Sequence, residues 1–161
     1  MTSILPPIPR FMFTVFEPIS LIAGCLGAWI SAEWFVAEQI PNSVQTALSN
    51  NATTVTYQLG NCYFLLCLIG LGVLYTTTEA KVVRNYVVAL WLADISHVGI
   101  TYWMINYDQK IAITDWNVTT WGNIGFTVFL FLIRTGYLLV RGVEVNSSRV
   151  SGLRLRREAH V

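Results

Sequence analysis

An aspartate and a histidine one helical turn apart, Asp94 and His97, lie inside VVALWLADISHVGITYWMI, an otherwise apolar stretch long enough to cross a bilayer. A carboxylate beside an imidazole is a proton-transfer pair near neutral pH, and burying such groups in hydrocarbon is costly enough to raise the suspicion of a function. Their i, i+3 spacing puts both on one helix face. Other apolar stretches carry similar interruptions. Glu17 is followed by Pro18, Gln58 and Asn61 are again at i, i+3, and Asn123 and Arg134 are eleven residues apart, with Tyr137 one turn beyond Arg134. Eleven residues is close to three turns, so Asn123 and Arg134 share a face at opposite depths.

These residues need elements to hold them, and the composition says which kind. Of 161 residues, 54% are hydrophobic and 12% charged, with a mean hydropathy of +0.54, which is the profile of a membrane protein. Four segments have the ~20 residues that a ~30 Å hydrocarbon core requires: Phe11 to Phe35, Tyr57 to Thr77, Val83 to Ile105 and Trp121 to Val140. The expected fold is all-α, an antiparallel bundle of four transmembrane helices over residues 1–141, with 142–161 a flexible basic cytoplasmic tail. Glu17-Pro18 breaks the first apolar stretch and no basic n-region with a small-residue cleavage site is evident, which argues against a cleaved signal peptide.

Positive charge sets the orientation. Arg10 precedes the first span, Lys81 and Arg84 flank the middle link, and Arg141, Arg149, Arg154, Arg156 and Arg157 follow the fourth, while the two other connections carry only Lys110. Both termini and the middle link are therefore expected on the cytoplasmic side. The sequons at Asn51 and Asn117 fall in the two lumenal connections and point to the endoplasmic reticulum, while the one at Asn146 falls on the tail and should be idle. A net charge of +1, with no basic run threaded by aromatics in the spans, gives no footprint for nucleic acid. Cys25, Cys62 and Cys67 lie in apolar segments without metal-ligand spacing, so neither a disulfide framework nor a metal site is expected.

With the spans antiparallel, Asp94 lies ~16 Å of helical rise above the start of its span and His97 ~21 Å. The polar residues then form two layers. Glu17 meets Arg134 in the cytoplasmic half, and Asn61, His97 and Asn123 meet in the lumenal half, with Asp94 between. A Glu17–Arg134 pair serves equally as mutual neutralisation of buried charge, and the two asparagines as interhelical hydrogen-bond glue. Trp29, Trp34, Trp103, Trp116 and Trp121 fall at lumenal ends, where an aromatic belt is expected. Trp91 and Tyr102 lie near the polar face and are expected to line a pocket for a lipophilic small molecule. No Walker motif, dinucleotide fingerprint, nucleophile elbow or histidine box is present, and no cofactor is expected.

Glu17-Pro18, Gln58-Leu59-Gly60-Asn61, Asp94-Ile95-Ser96-His97, Trp116, Trp121-Gly122-Asn123 and Arg134 together resemble a family of small four-span fungal membrane proteins, over nearly the whole chain. Some members of that family look like the cyclase/hydrolase proteins of polyene-pyrone pathways, the aurovertin and citreoviridin type, which open polyepoxides made by a flavin monooxygenase. The layout is also similar to sterol isomerases, sigma-2-type receptors and membrane terpene cyclases. The resemblance implies an epoxide hydrolase/cyclase of fungal polyketide metabolism. Opening an epoxide needs a base to activate water or an internal hydroxyl and an acid for the leaving oxygen. The expected catalytic set is Asp94 as base, oriented by His97 or Arg134, with Glu17 or the His97 imidazolium as acid. The expected substrate-binding set is Asn61, Asn123, Trp91, Tyr102, Tyr137, Gln58 and Trp121. A terpenoid cyclase or sterol isomerase, and a non-enzymatic lipid-binding protein whose polar cluster is structural, are the alternatives. Membrane lipids are the other expected partners, and the sequence leaves homodimerisation open.

Overall fold

The computed structural model describes residues 5–107 and 110–140, so the basic tail expected at 142–161, with Asn146, lies outside the described residues. The chain is helical, with α1 at Pro7–Ile30, α2 at Ala32–Ala37, α3 at Asn50–Thr76, α4 at Ala80–Ile105 and α5 at Val118–Val140. A single 3₁₀ turn, Ile113–Asp115, precedes α5. Four of these, α1, α3, α4 and α5, are long and apolar enough to cross a membrane, which fits an integral membrane protein. The tight link after Thr76 makes α3 and α4 antiparallel neighbours, and Thr77 Oγ1 accepts from the Glu79 amide at 3.1 Å inside it.

α3 and α5 begin earlier than hydropathy indicates, because polar caps start them outside the apolar segments. Ser49 accepts from the Ala52 amide at 3.2 Å and starts α3 at Asn50, well before Tyr57. Asn117 accepts from the Thr120 amide at 2.8 Å and starts α5 before Trp121. At the other end of α1, Ser31 leaves the helical region (φ −143, ψ 70). Trp34 and Phe35 therefore sit on the short α2 and do not extend the first span.

α1 and α3 pack closely because Gly60 has no side chain. A Cβ there would lie 2.7 Å from the Trp29 indole and 3.1 Å from Ala28 Cβ. The indole instead lies on α3 and donates from Nε1 to the Tyr57 carbonyl at 3.0 Å. Such close approach at a small residue is how apolar helices associate without a hydrophobic driving force between them.

Two of the long helices are locally widened. Met12–Phe16 forms a π turn, in which the Glu17 amide bonds back to the Met12 carbonyl. Pro18 explains it. Proline offers no N–H to the carbonyl four residues earlier and its ring crowds that carbonyl, so the backbone opens to i→i+5 spacing. A second π turn, Trp121–Phe126, falls in α5, where the Trp121 ring occupies the space left by Gly125. Leu5, Met12, Phe13, Val83, Val87, Leu130 and Tyr137 form the closed apolar core at the end of the bundle near the termini.

Candidate functional site

Arg134 of α5 is 1% exposed and lies among apolar side chains. A guanidinium so buried must be paired, and two carboxylates pair it. Its Nη1 donates to Asp94 Oδ2 of α4 at 2.5 Å, and its Nη2 donates to Glu17 Oε1 of α1. The Phe13 ring lies 5.2 Å below the guanidinium carbon, a distance at which the ring face attracts a cation. Pro18, the next residue after Glu17, bears on this geometry, since the π turn it imposes ends where Glu17 begins. Two carboxylates against one guanidinium leave one negative charge in excess when all three groups are ionised. Glu17 Oε2 and Arg134 Nε are buried with no hydrogen-bond partner among the described residues.

Above the triad is a cavity of about 380 Å³, with Glu17, Asp94, His97 and Asn123 on its wall. Ser20, Thr119 and Thr127 contribute hydroxyl-bearing side chains, while Tyr63, Leu66, Phe126 and Leu130 make the apolar sides. Trp34 and Phe35 of α2 also line it. From Thr119 to Leu130 it spans ~16 Å of helical rise. His97 is half-buried and its imidazole lies against the main chain of Asn123, within the second π turn. The Asn123 amide is tied outward, donating from Nδ2 to Gln39 Oε1 at 3.1 Å, and Gln39 Nε2 donates in turn to the Phe35 carbonyl at 2.9 Å. Among the described residues, no group of three or more His, Cys, Asp or Glu side chains is placed to hold a metal ion.

The four residues expected to be catalytic therefore lie together, and of the two partners expected to orient Asp94 it is Arg134 that bonds to it. Asp94 is oriented by Arg134, and His97 faces the same cavity from one turn away. Of the seven expected substrate-binding residues, Asn123 alone lines the cavity. Gln58 and Asn61 are exposed on the outer side of α3, because Gly60 fixes the face toward α1 and the next residue on a helix is ~100° round from it. Tyr102 is 57% exposed and Trp121 50% exposed. Tyr102 comes eight positions after Asp94, which is ~80° round the helix. Trp91 packs behind the site, donating from Nε1 to Thr135 Oγ1 at 2.8 Å and stacking on Phe131 at 5.4 Å. Tyr137 is buried in the apolar core.

Tyr63, Ser20, Thr119, Thr127 and Gln39 belong to the site or its support and are not among the residues expected from the sequence. Thr127 carries a usable signal, lying four residues after Asn123 and seven before Arg134 on the face they share.

The chain matches the family model described as a domain of unknown function, DUF7704, over residues 2–143. It belongs to that family. No curated protein and no solved structure matches it. The family match spans all four long helices and so includes Glu17, Asp94, His97 and Arg134.

Proposed function

We propose that this chain is a membrane-embedded acid/base enzyme that opens an epoxide of a lipophilic polyene and closes cyclic ethers from it, an epoxide hydrolase/cyclase of fungal polyketide metabolism. The observation that carries the reading is the Glu17–Arg134–Asp94 triad, whose two carboxylate residues lie on the wall of one cavity, with one carboxylate oxygen left without a partner. The substrate class comes from the sequence resemblance.

One guanidinium holding two carboxylates suits the reaction. With one proton on the pair, one carboxyl group is an acid and the other a base in the same cavity. In this scheme Glu17 gives its proton to the epoxide oxygen as the carbon–oxygen bond breaks. Asp94 takes the proton of the attacking water or substrate hydroxyl as the new carbon–oxygen bond forms. The product is neutral, and a proton passing from Asp94 to Glu17 restores the start. Arg134 fixes both groups before substrate arrives, and preorganised charge of this kind needs no reorientation during the step. In the same scheme His97 and the Thr119 and Thr127 hydroxyls, which line the cavity, hold the nucleophile. The step is redox-neutral, so it calls on no cofactor.

Lys and Arg distribution and the sequons support the endoplasmic reticulum as the host membrane, with both termini cytoplasmic. A terpenoid cyclase is the second reading, favoured by Tyr63, Phe35 and Phe126 on the walls of the cavity, rings that would stabilise a carbocation. The test is product formation from a polyene bis-epoxide by the full chain in nanodiscs. Asp94→Asn keeps an acceptor for Arg134 and should fold while losing cyclic-ether product. Unchanged product from that variant removes the proposal.

A further inference from the structure

Exposed polar side chains on the long helices fall into two groups. Hydroxyls donate within their own helix, Thr54 Oγ1 to the Asn50 carbonyl at 2.8 Å and Ser96 Oγ to the Ala93 carbonyl at 2.9 Å. The exposed amides of Gln58 and Asn61 on α3 do not, and neither has a hydrogen-bond partner among the described residues. Asn61 is also deep. It lies ~22 Å of helical rise from the end of α3 at Thr76 and ~16 Å from its start at Asn50, inside a ~30 Å hydrocarbon core counted from Thr76. Asn85 on α4 is exposed too, but it stands next to Arg84 and one turn from Lys81, at the charged end of its helix. An amide that faces lipid without a partner is costly, and in membrane helices such groups bond across to another helix.

The two amides open a repeat. Gln58, Asn61, Leu65, Leu68, Gly72 and Tyr75 follow one another at alternating steps of three and four residues, the spacing by which one helix presents a seam to another. All six are exposed. The seam is turned away from the bundle, since Leu65 comes five residues after Gly60 and so lies ~140° round the helix from the face against α1. Its chemistry says what covers it. Copies of one chain insert in a membrane with the same orientation, so two α3 helices that meet run parallel. About a two-fold axis along the membrane normal, each residue of the seam then meets its own counterpart. A charged side chain would repel its copy, whereas an amide carries both a donor and an acceptor and pairs with itself. The seam has two amides and no charge.

We propose that two copies of this chain pair in the membrane through the outer faces of α3, each Asn61 amide hydrogen-bonded to its counterpart, with Gln58 paired one turn nearer Asn50 and Leu65 and Leu68 packed on the other side. The buried amides fix the register of the pair, as a single polar position does in a coiled coil. Each copy keeps its own triad and cavity, so the inference does not depend on the reaction proposed above.

The experiment labels the full chain at its N-terminus with donor or acceptor dye and reconstitutes both in phosphatidylcholine vesicles over a range of protein-to-lipid ratios, so that energy transfer reads the dimerisation constant. Asn61→Leu removes the amide and leaves a side chain suited to lipid, so the chain should keep its helicity by circular dichroism while dimerisation weakens about tenfold. Ser96→Leu, an exposed polar-to-apolar change on α4, should leave the constant within about twofold. The face is located by cysteine cross-linking in a Cys62→Ser background, which removes the exposed native cysteine. On oxidation with copper phenanthroline, Leu68→Cys should give a disulfide-linked dimer and Leu92→Cys, 56% exposed on α4, should not. A wild type that is monomeric at every ratio, which would leave the face to lipid or to a different membrane helix, overturns the pairing. So does a constant unchanged by Asn61→Leu, or a cross-link at Leu92→Cys without one at Leu68→Cys.

Discussion

Arg134 Nη2 donates to Glu17 Oε1 and leaves the second oxygen of that carboxylate, Oε2, buried and without a partner among the described residues. A purely structural ion pair gains by satisfying every buried lone pair, and this one does not. The unpartnered atom belongs to a residue on the cavity wall. Neutralising Arg134 takes one carboxylate, and the triad supplies two.

Removing the guanidinium should be severe. Arg134→Ala leaves two buried carboxylates facing each other, and breaking a buried pair costs about 3–5 kcal/mol. Thermal unfolding in detergent should show a large drop in midpoint or loss of folded protein. Arg134→Lys keeps the charge but not the fork that holds two carboxylates at once, so a partly recovered midpoint with turnover still lost is expected.

Trp91 gives a contrasting case. Its indole N–H bonds to Thr135 and its ring stacks on Phe131, away from the cavity. Trp91→Phe should cost about 1 kcal/mol through the lost hydrogen bond and leave turnover unchanged. A selective change in product with Trp91→Phe would return this residue to the substrate pocket.

Asn117 has its side chain already engaged. It caps α5 by accepting from Thr120 and donates to the Glu38 carbonyl at 3.0 Å. Glycosylation of this sequon is therefore not expected in the folded protein, and Asn117→Gln should leave electrophoretic mobility unchanged in a glycosylating host. Asn117→Ala should cost about 1 kcal/mol, as lost caps do, read as a lower thermal midpoint.

Gly60 sets the α1–α3 approach. Gly60→Ala places a methyl group where Trp29 and Ala28 now lie, and overpacking of this kind costs about 1–3 kcal/mol. The change should appear as lower thermal stability and altered Trp29 emission, whereas Gly72→Ala, with nothing within 4 Å of its Cβ, should be near neutral.

The four long helices are legible in the sequence because ~20-residue apolar runs have few other uses, and the ionisable residues within them stand out by cost alone. Glu17, Asp94, His97 and Arg134 are found this way. Helix starts are not, since Ser49 and Asn117 cap polar first turns that hydropathy does not register. The rotation of each helix is also hidden. It depends on where Gly60 and Gly70 let a neighbour approach, and that approach decides which of Asn61 and Tyr63, ~200° apart on the helix, faces inward. The π turns compound this, because each extra residue per turn re-aims the side chains beyond it, and only the one before Glu17 has a visible signal, Pro18.

Whether Glu17 and Asp94 act in one step as acid and base is read by bis-epoxide turnover in Glu17→Gln, Asp94→Asn and the double variant, each shown folded by its thermal midpoint. Each single variant should lose about 10²–10⁴-fold, the range for positioned acids and bases. The double variant should be little worse than either, because residues acting as a unit are not additive. Turnover near wild type in either single variant, or losses that multiply in the double, would contradict a shared acid/base step.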